Sequence, residues 1–258
     1  LLVHKIFVVP MIGRLSMRTY GGRVDGILGL AAVLACILLL SVPCEAAKSL
    51  ANDRLLVAAE HGKTEVVKLL IDQGVNVNAK DKHGGTALIG AVWNGHLEVV
   101  KLLVENGADL NAKIVTNSHT ALGSAVFKGH LEIVKLLLDH GADVNERGHF
   151  GGTVLINPQY WSNLQVVRLL IDKGLDVNAS DNGGKTALMS AAFIGNLEII
   201  KLLISKGADV HAKDKDGKTA LMDAARGGSV EVVKFLIEKG LDVKAKDKHG
   251  ETALMCAT

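Results

Sequence analysis

The chain has 258 residues, of which 48% are hydrophobic, 22% charged and 3% aromatic. This composition excludes an intrinsically disordered chain, which would be poor in apolar residues and far from neutral. Lys and Arg number 29 against 27 Asp and Glu, a net charge of +2. That balance excludes a strongly basic nucleic-acid-binding protein at the level of the whole chain.

The first 46 residues have the pattern of a secretory signal peptide. An apolar run of 16 residues spans 27–42, and Cys44-Glu45-Ala46 places small residues at the −3 and −1 positions of a cut after Ala46. Three basic residues precede the run: Arg14, Arg18 and Arg23. A basic segment, an apolar core and a small-x-small exit are the parts of a signal peptide, and the run is shorter than the roughly 20 residues that cross a bilayer. We expect a cleaved signal and a bacterial protein exported to the periplasm or the extracellular space; the alternative is an uncleaved membrane anchor formed by residues 27–42.

Removal of residues 1–46 leaves a neutral chain. Residues 47–258 contain 25 basic and 25 acidic residues, a poor composition for binding a polyanion such as a nucleic acid. Cys256 is the one cysteine that remains, so an internal disulfide is impossible. The exported protein must therefore be stabilised by packing.

Residues 47–258 repeat with a fixed period. The leucine of a Thr-Ala-Leu triplet or its variants recurs at spacings of 33, 34, 33, 33, 33 and 33: Leu55, Leu88, Leu122, Leu155, Leu188, Leu221 and Leu254. Such a period is the signature of a solenoid. The repeats cover about 51–83, 84–117, 118–150, 151–183, 184–216, 217–249 and, in part, 250–258. Because Thr258 falls inside the first helix of repeat seven, we expect that the sequence is truncated.

Each repeat predicts two helices. A threonine can cap the N-terminus of the first helix: Thr86, Thr120, Thr186, Thr219 and Thr252. A glycine in a left-handed turn ends it: Gly62, Gly95, Gly129, Gly195 and Gly228. The second helix, as in residues 96–103, presents an apolar stripe and ends at another glycine. At the first end of the array, Lys48, Asn52, Asp53, Arg54 and Glu60 predict a polar edge.

These motifs resemble those of ankyrin-repeat proteins. Residues 95–103 match the family's Gly-His-Leu-Glu-Val-Val-Lys-Leu-Leu and residues 141–145 its Gly-Ala-Asp-Val-Asn, whereas its Thr-Pro-Leu-His has Ala for Pro here. Ile, Gly or Met replaces its histidine: Ile89, Gly123, Ile156, Met189, Met222 and Met255. The resemblance implies an all-α-type solenoid of helix pairs with β-hairpin or turn fingers. It also implies a concave groove, lined by first helices and fingertips, in a non-enzymatic protein-interaction scaffold.

Two columns of variable residues are the candidate binding positions. The fifth residue after each key leucine forms the aromatic column: Glu60, Trp93, Phe127, Tyr160, Phe193 and Arg226. The next residue forms the second column: His61, Asn94, Lys128, Trp161, Ile194 and Gly227. By the family resemblance both columns line the groove. We predict ten partner-binding residues: Glu60, Trp93, Asn94, Phe127, Lys128, Tyr160, Trp161, Phe193, Ile194 and Arg226.

The aromatic column has two interpretations. In one, its four rings pack on each other and on the adjacent helix, and so close gaps between repeats. In the other they form a ladder that binds a partner. Four half-exposed rings would present about 300–500 Å² of apolar surface, which is at the upper end for a monomer without a partner. This area favours the second interpretation, in which Glu60 and Arg226 flank the ladder with opposite charge.

Repeat four is irregular. Pro158 replaces the small alanine of the first helix and predicts a kink, and Ser162 replaces the turn glycine. The repeat is either degenerate or a reshaped pocket that presents Tyr160 and Trp161.

No pattern of catalysis or cofactor binding stands out. The Gly-Lys-Thr segments at 184–186 and 217–219 lack the upstream glycine of a phosphate loop. The histidines lack metal-ligand spacing and suit turn and capping roles, and Cys256 has no identifiable base. We therefore expect no enzyme activity, no cofactor and no metal. The partner would be an unidentified protein or peptide and not a nucleic acid, with membrane contact only if the N-terminal segment stays uncleaved. The alternatives are the binding half of a larger enzyme or effector, and a structural spacer.

Overall fold

The computed structural model describes residues 44–257 except 116–118, 149 and 162, with side chains from residue 47 onward apart from that of Tyr160. Residues Lys48–Thr258 form one compact unit. The signal-peptide prediction falls outside the described residues except for its last three positions. Among the described residues, no helix has both the length and the apolarity to cross a membrane.

The described residues form twelve α-helices and one short 3₁₀ helix. The first helices of the repeats are α1 (Cys44–Glu60), α3 (Ala87–Trp93), α5 (Ala121–Lys128), α8 (Ala187–Ile194), α10 (Ala220–Arg226) and α12 (Ala253–Cys256). The second helices are α2 (Thr64–Asp72), α4 (Leu97–Glu105), α6 (Leu131–Asp139), α7 (Leu164–Asp172), α9 (Leu197–Ser205) and α11 (Val230–Glu238). The 3₁₀ helix, η1, spans Pro158–Tyr160.

First helices pack on first helices, and second helices pack on second helices. First helix α3 packs on α5, α8 on α10 and α10 on α12, while second helix α2 packs on α4, α4 on α6 and α6 on α7. Each repeat thus covers the apolar face of its neighbour, as a solenoid requires. One continuous apolar core results, which extends from Leu55 to Leu241. The predicted all-helical solenoid is confirmed.

The helix boundaries follow the predicted capping residues. Threonine side chains accept a hydrogen bond from the backbone N–H three residues later at Thr86, Thr120, Thr186 and Thr219, whereas the side chain of Thr252 makes no such bond. At the other end, Gly129 and Gly195 end α5 and α8 with φ of 72° and 78°. A side chain is strained in this left-handed region, so glycine is the favoured residue there.

The fingers are turns rather than hairpins. The described residues contain no strand, and isolated bridges join Lys80 to Thr86, Ser180 to Thr186 and Lys213 to Thr219. In the first of these fingers, the Asp81 carboxylate accepts hydrogen bonds from the N–H groups of His83 and Gly85 at 2.7 and 2.8 Å. This carboxylate-centred turn closes one side of the bridge, and on the other side Thr86 already caps α3, so the pairing is limited to one bridge. Of the hairpin and turn forms that the family resemblance implies, this finger has the turn form.

Asparagines connect successive repeats. The Asn145 side chain donates to the carbonyl of Gly174 at 3.0 Å and accepts from the N–H of Asp176 at 2.8 Å. Asn178 makes the same two bonds to Gly207 and Asp209, at 3.0 and 2.7 Å. We call each such pair of bonds an asparagine clamp. The clamps hold the loop after one second helix to the loop after the next.

Repeat four departs from the pattern more than a kink would. Its first α-helix is replaced by turns and η1, which packs between α5 and α8. Pro158 has no N–H for a helical bond, and Asn157 caps η1 by accepting from Gln159 N–H at 3.1 Å. The Trp161 indole lies in the core and donates to the carbonyl of Leu155 at 3.2 Å. The indole thereby supplies apolar volume in a repeat that has no first α-helix.

The first end of the array is less polar than expected. Four apolar side chains are exposed on α1 and α2: Leu50, Val57, Val66 and Leu69. Polar residues such as Asp53 and Arg54 lie between them, so the expected polar edge is mixed.

Candidate protein-binding surface

The two columns of variable residues lie in the last turns of the first helices. Trp93 ends α3 and Arg226 ends α10, while Phe127 and Phe193 are the penultimate residues of α5 and α8. The threonine cap starts each of these helices at the same register. The fifth residue after the key leucine therefore arrives at the same place in successive repeats.

Trp93 and Phe127 form a stacked pair. Their ring centroids are 5.6 Å apart and their planes differ by 10°. The Nζ atom of Lys128 lies 4.2 Å from the centroid of the Trp93 ring. Trp93 remains 40% exposed although both neighbours contact it, and Phe127 is half-buried. Both interpretations of the aromatic column therefore apply at this position, because the two rings pack on each other while the Trp93 ring still faces solvent. We call Trp93, Phe127 and Lys128 the Trp93 platform.

Phe193 and Ile194 form a separate apolar patch. They are 40% and 54% exposed, and Lys185 Nζ lies 5.5 Å from the Phe193 ring centroid. The end of α10 lies directly against the backbone of Phe193, where any side chain at Gly227 would collide with the Phe193 carbonyl. Glycine at this position of the second column therefore permits the close approach and leaves the patch uncovered by repeat six.

The predicted ladder of four rings is interrupted at repeat four. Trp161 is only 9% exposed and belongs to the core, so its predicted role as a surface anchor is wrong. The cause is the missing first helix, which lets the indole turn inward. Tyr160 lies in η1, and its side chain is outside the described set.

The other predicted site residues are on the surface. Glu60, Asn94, Lys128 and Arg226 are exposed. The Asn94 amide donates to the Gly90 carbonyl of its own helix at 3.0 Å. This bond holds the amide against α3, beside the Trp93 platform.

His96 connects its own repeat to the preceding one through the backbone carbonyl of Glu60. His96 Nε2 lies 2.9 Å from the carbonyl oxygen of Glu60, and the His96 side chain makes no capping bond to α4. The His96 imidazole packs under Gly62, and His130 packs under Gly95 in the same way. Of the turn and capping roles expected for the histidines, these two have the turn role: they lie at the N-caps of α4 and α6 without a side-chain capping bond, and their rings pack against turn glycines of the preceding repeat.

A buried carboxyl group was missed at the sequence level. Glu146 accepts a hydrogen bond from the Thr120 hydroxyl, and burial raises the pKa of Glu146 to about 7. Its other oxygen, Oε2, is buried with no hydrogen-bond partner. A methyl group on Gly123 would lie 3.2 Å from Glu146 Oε1. Glu146 thus uses space that Gly123, in place of Ile or Met, leaves open.

The repeat alignment contains a signal for this pair. Glu146 stands where the other fingers have alanine: Ala79, Ala112, Ala179, Ala212 and Ala245. Gly123 is likewise the one glycine among the residues that replace the family histidine. Glu146 is a large side chain where the other repeats have alanine, and Gly123 has no side chain where they have a large apolar residue. Two opposite size changes in one repeat, 23 positions apart, indicate that the two residues compensate for each other.

Asp223 is a second buried carboxyl group near the Phe193 patch. Burial raises its pKa, and the positive charges of Lys185 and Arg226 act in the opposite direction. Among all the described residues, no three His, Cys, Asp or Glu side chains are arranged to hold a metal ion.

The chain is similar in sequence and structure to known ankyrin-repeat domains. The sequence model described as Ankyrin repeats (3 copies) matches residues 31–114, 55–148, 122–214 and 188–258. The human ASB11 ankyrin repeat domain is 28% identical, with a TM-score of 0.69 over 79% of this chain and 91% of that one. The Bcl-3 ankyrin repeat domain, from a member of the IkappaB protein family, is 29% identical, with a TM-score of 0.70 over 80% and 93%.

A bacterial complex is also similar. It contains the Bd0816 predatory endopeptidase from Bdellovibrio bacteriovorus and immunity protein Bd3460. The matching chain is 31% identical, with a TM-score of 0.66 over 72% of this chain and 97% of that one. No curated protein sequence matches this chain significantly.

Proposed function

Because the chain belongs to the ankyrin-repeat family, we propose that it is a non-enzymatic scaffold that binds a protein or peptide along the face of its first helices. Ankyrin-repeat domains generally mediate protein–protein interaction, and one similar structure is a complex with an immunity protein. The single observation that supports the site is the Trp93 platform: a stacked aromatic pair whose Trp93 ring stays exposed beside a cation.

The platform has the physical properties of a binding anchor. Aromatic side chains present a large apolar area, and Trp is enriched among the residues that dominate interfaces. The stack on Phe127 already holds the Trp93 ring in place, so little further side-chain entropy is lost when a partner covers it. A partner side chain placed on this ring would gain apolar burial without reorganising the repeat.

The second patch extends the same surface. Phe193 and Ile194 occupy the equivalent columns two repeats beyond Phe127, with Arg226 one repeat further on. The partner would therefore contact two apolar anchor points with the irregular repeat four between them. Glu60 and Arg226, exposed and of opposite charge, lie at the two ends of the aromatic column and would orient the bound segment.

We further propose that the protein acts outside the cytoplasm, after cleavage behind Ala46. The basic segment, apolar run and small-x-small exit of residues 1–46 support this location. Mass spectrometry of the protein from its native cells should find Ala47 at the N-terminus. An intact N-terminal segment in the membrane fraction would instead indicate an anchor formed by residues 27–42.

The binding site is tested by comparing two surfaces of the same chain. Wild type, the double variant Trp93→Ala/Phe127→Ala and the control variant Ile237→Ala are each used to capture proteins from a cell-envelope extract. Ile237 is a comparably exposed apolar residue on a second helix. Each anchor truncation should cost about 1–2 kcal/mol of binding, so the double variant should lose the captured proteins that Ile237→Ala retains. Identical sets from all three variants would refute the site.

A further inference from the structure

The charge of the repeat domain is divided between its two helix layers. The segments that hold the fingers and first helices contain 15 Lys and Arg against 10 Asp and Glu: 48–63, 79–96, 112–130, 146–163, 179–196, 212–229 and 245–257. The segments with the second helices and the loops after them contain 10 against 15: 64–78, 97–111, 131–145, 164–178, 197–211 and 230–244. A domain of zero net charge thus has an excess of five positive charges on one layer and of five negative charges on the other.

Several acids of the positive layer are already engaged within the fold. The finger carboxylates of Asp81, Asp181, Asp214 and Asp247 each accept two backbone N–H groups of their own turn. Asp216 is paired with Lys248, and Asp223 is buried. These hydrogen bonds, the ion pair and the burial of Asp223 reduce the negative charge that this layer presents to a partner.

Two cations of this layer lie beside the apolar anchor points. Lys128 Nζ is over the Trp93 ring, and Lys185 Nζ is near the Phe193 ring. Arg226 is exposed one repeat beyond Phe193. Each apolar anchor on the first-helix face thus has a positive charge beside it, so a group that approaches the ring meets a cation at the same time.

We propose that the segment bound on the first-helix face is an acidic polypeptide, with apolar side chains on the Trp93 platform and the Phe193 patch and carboxylates beside Lys128, Lys185 and Arg226. This inference rests on the proposed function and specifies its partner. Charge complementarity of this kind raises the association rate and excludes basic partners. Lysines next to apolar anchors suit alternating acidic and apolar side chains better than either type alone.

A polypeptide fits this surface better than a nucleic acid. The fingertips interleave acids with the lysines, as in Lys213-Asp214-Lys215-Asp216, so they offer no uninterrupted basic stripe for a phosphate backbone. The whole chain also lacks the strong positive charge of a nucleic-acid-binding domain. Spaced carboxylates can match spaced lysines individually, which evenly charged phosphates cannot.

The test selects ligands without assuming a sequence. The full chain is immobilised and a random 20-residue peptide library displayed on phage is selected against it, in parallel with Trp93→Ala/Phe127→Ala. Peptides enriched on wild type alone are synthesised with a fluorescent label and measured by anisotropy. We expect net negative peptides with aromatic or aliphatic residues, whose Kd weakens at least tenfold between 50 and 300 mM NaCl.

A matched pair of charge reversals locates the effect. Lys128→Glu should weaken these peptides about tenfold, whereas Lys201→Glu should leave them unchanged. Lys201 is the control because its Nζ lies 5.7 Å from the Phe235 ring on the second-helix layer, a similar contact on the opposite layer. Equal weakening by both variants would show a general charge effect and overturn the inference.

Failures of the two proposals are distinguishable. Neutral or basic peptides that still require Trp93 would overturn the acidic partner and leave the binding scaffold intact. An absence of any Trp93-dependent peptide would overturn the proposed function itself. Binding of a labelled oligothymidylate of 20 nucleotides with equal or higher affinity than the peptides would overturn the polypeptide in favour of a nucleic acid.

Discussion

Repeats four and five have the same length and adopt different structures. In repeat five, Thr186 caps α8 and Gly195 ends it. In repeat four the same stretch of chain forms turns and η1, with Pro158 where repeat five has Ala191. Both repeats then continue into second helices of nine residues, α7 and α9. A solenoid repeat can therefore lose its first helix and keep its place in the stack.

The contacts that cross the repeat boundaries explain this tolerance. Ion pairs of 2.7 Å join Lys173 to Asp139 and Lys206 to Asp172, so one leads into repeat four and the other leaves it. The asparagine clamps likewise recur at both boundaries. All of these bonds belong to second helices and their loops, which therefore hold the period while the first helices are free to diverge.

The largest difference in stability should be between alanine variants of Trp161 and of Ile194, the residue at the same position of the second column in repeat five. Trp161→Ala removes a buried indole from the core and should lower the free energy of unfolding by about 3–5 kcal/mol. Ile194→Ala removes an exposed side chain and should change it by less than about 1 kcal/mol. Urea denaturation measures both; equal losses would show that the indole does not stabilise the irregular repeat.

Introducing a proline into repeat five should destabilise the protein far more than removing the proline of repeat four changes its stability. Ala191→Pro places a proline inside α8 and should cost about 3 kcal/mol or more, because a helical hydrogen bond is lost and the ring clashes with the preceding turn. Pro158→Ala should change stability by about 1 kcal/mol or less, since no α-helix is present there to be repaired. Circular dichroism and urea denaturation check both, and a gain of helix in Pro158→Ala would show that proline alone suppresses the first helix.

The finger that precedes repeat four has Glu146 at the position where the finger that precedes repeat five has Ala179. Because the pKa of Glu146 is raised to about 7 in the folded protein, the folded state binds this proton more tightly than the unfolded chain. The contribution to stability is therefore full below about pH 4.5 and is lost as the pH rises toward 7, by up to about 3 kcal/mol.

Glu146→Gln should remove that loss. Relative to wild type, its free energy of unfolding should rise by about 2–3 kcal/mol between pH 5 and pH 8. Glu132→Gln, an exposed residue paired with Lys135, is the control and should follow wild type. Parallel pH profiles for wild type and Glu146→Gln would place the charge of Glu146 in solvent.

The smallest effect should come from the asparagine clamps. Asn145→Ala and Asn178→Ala each remove two hydrogen bonds across a boundary and should cost about 1–2 kcal/mol. If second helices and loops hold the period in both repeats, the two losses should agree within about 0.5 kcal/mol. A much smaller loss at Asn145, measured by urea denaturation, would show that the boundary leading into repeat four is held in another way.

The repeat sequence predicted most of the fold because its signals are local. Thr186 and Gly195 bound α8 through bonds within one turn of chain, and the apolar stripe of a second helix follows from a period of 3.6 residues. Such features require no knowledge of neighbouring repeats. The aromatic column could be located for the same reason, since equal capping places Trp93 and Phe127 at the same register.

The tertiary structure decided what those positions do. Trp161 and Ile194 share a column, yet one is in the core and the other in solvent, because the indole turns inward where the first helix is missing. The carboxyl group of Glu146 is removed from solvent since Gly123, 23 residues earlier in the chain, leaves space beside Thr120. The sequence by itself determined helices, caps and period, which depend on near neighbours; burial, ring stacking and the pKa of a carboxyl group depend on residues that only the stacking of repeats brings together.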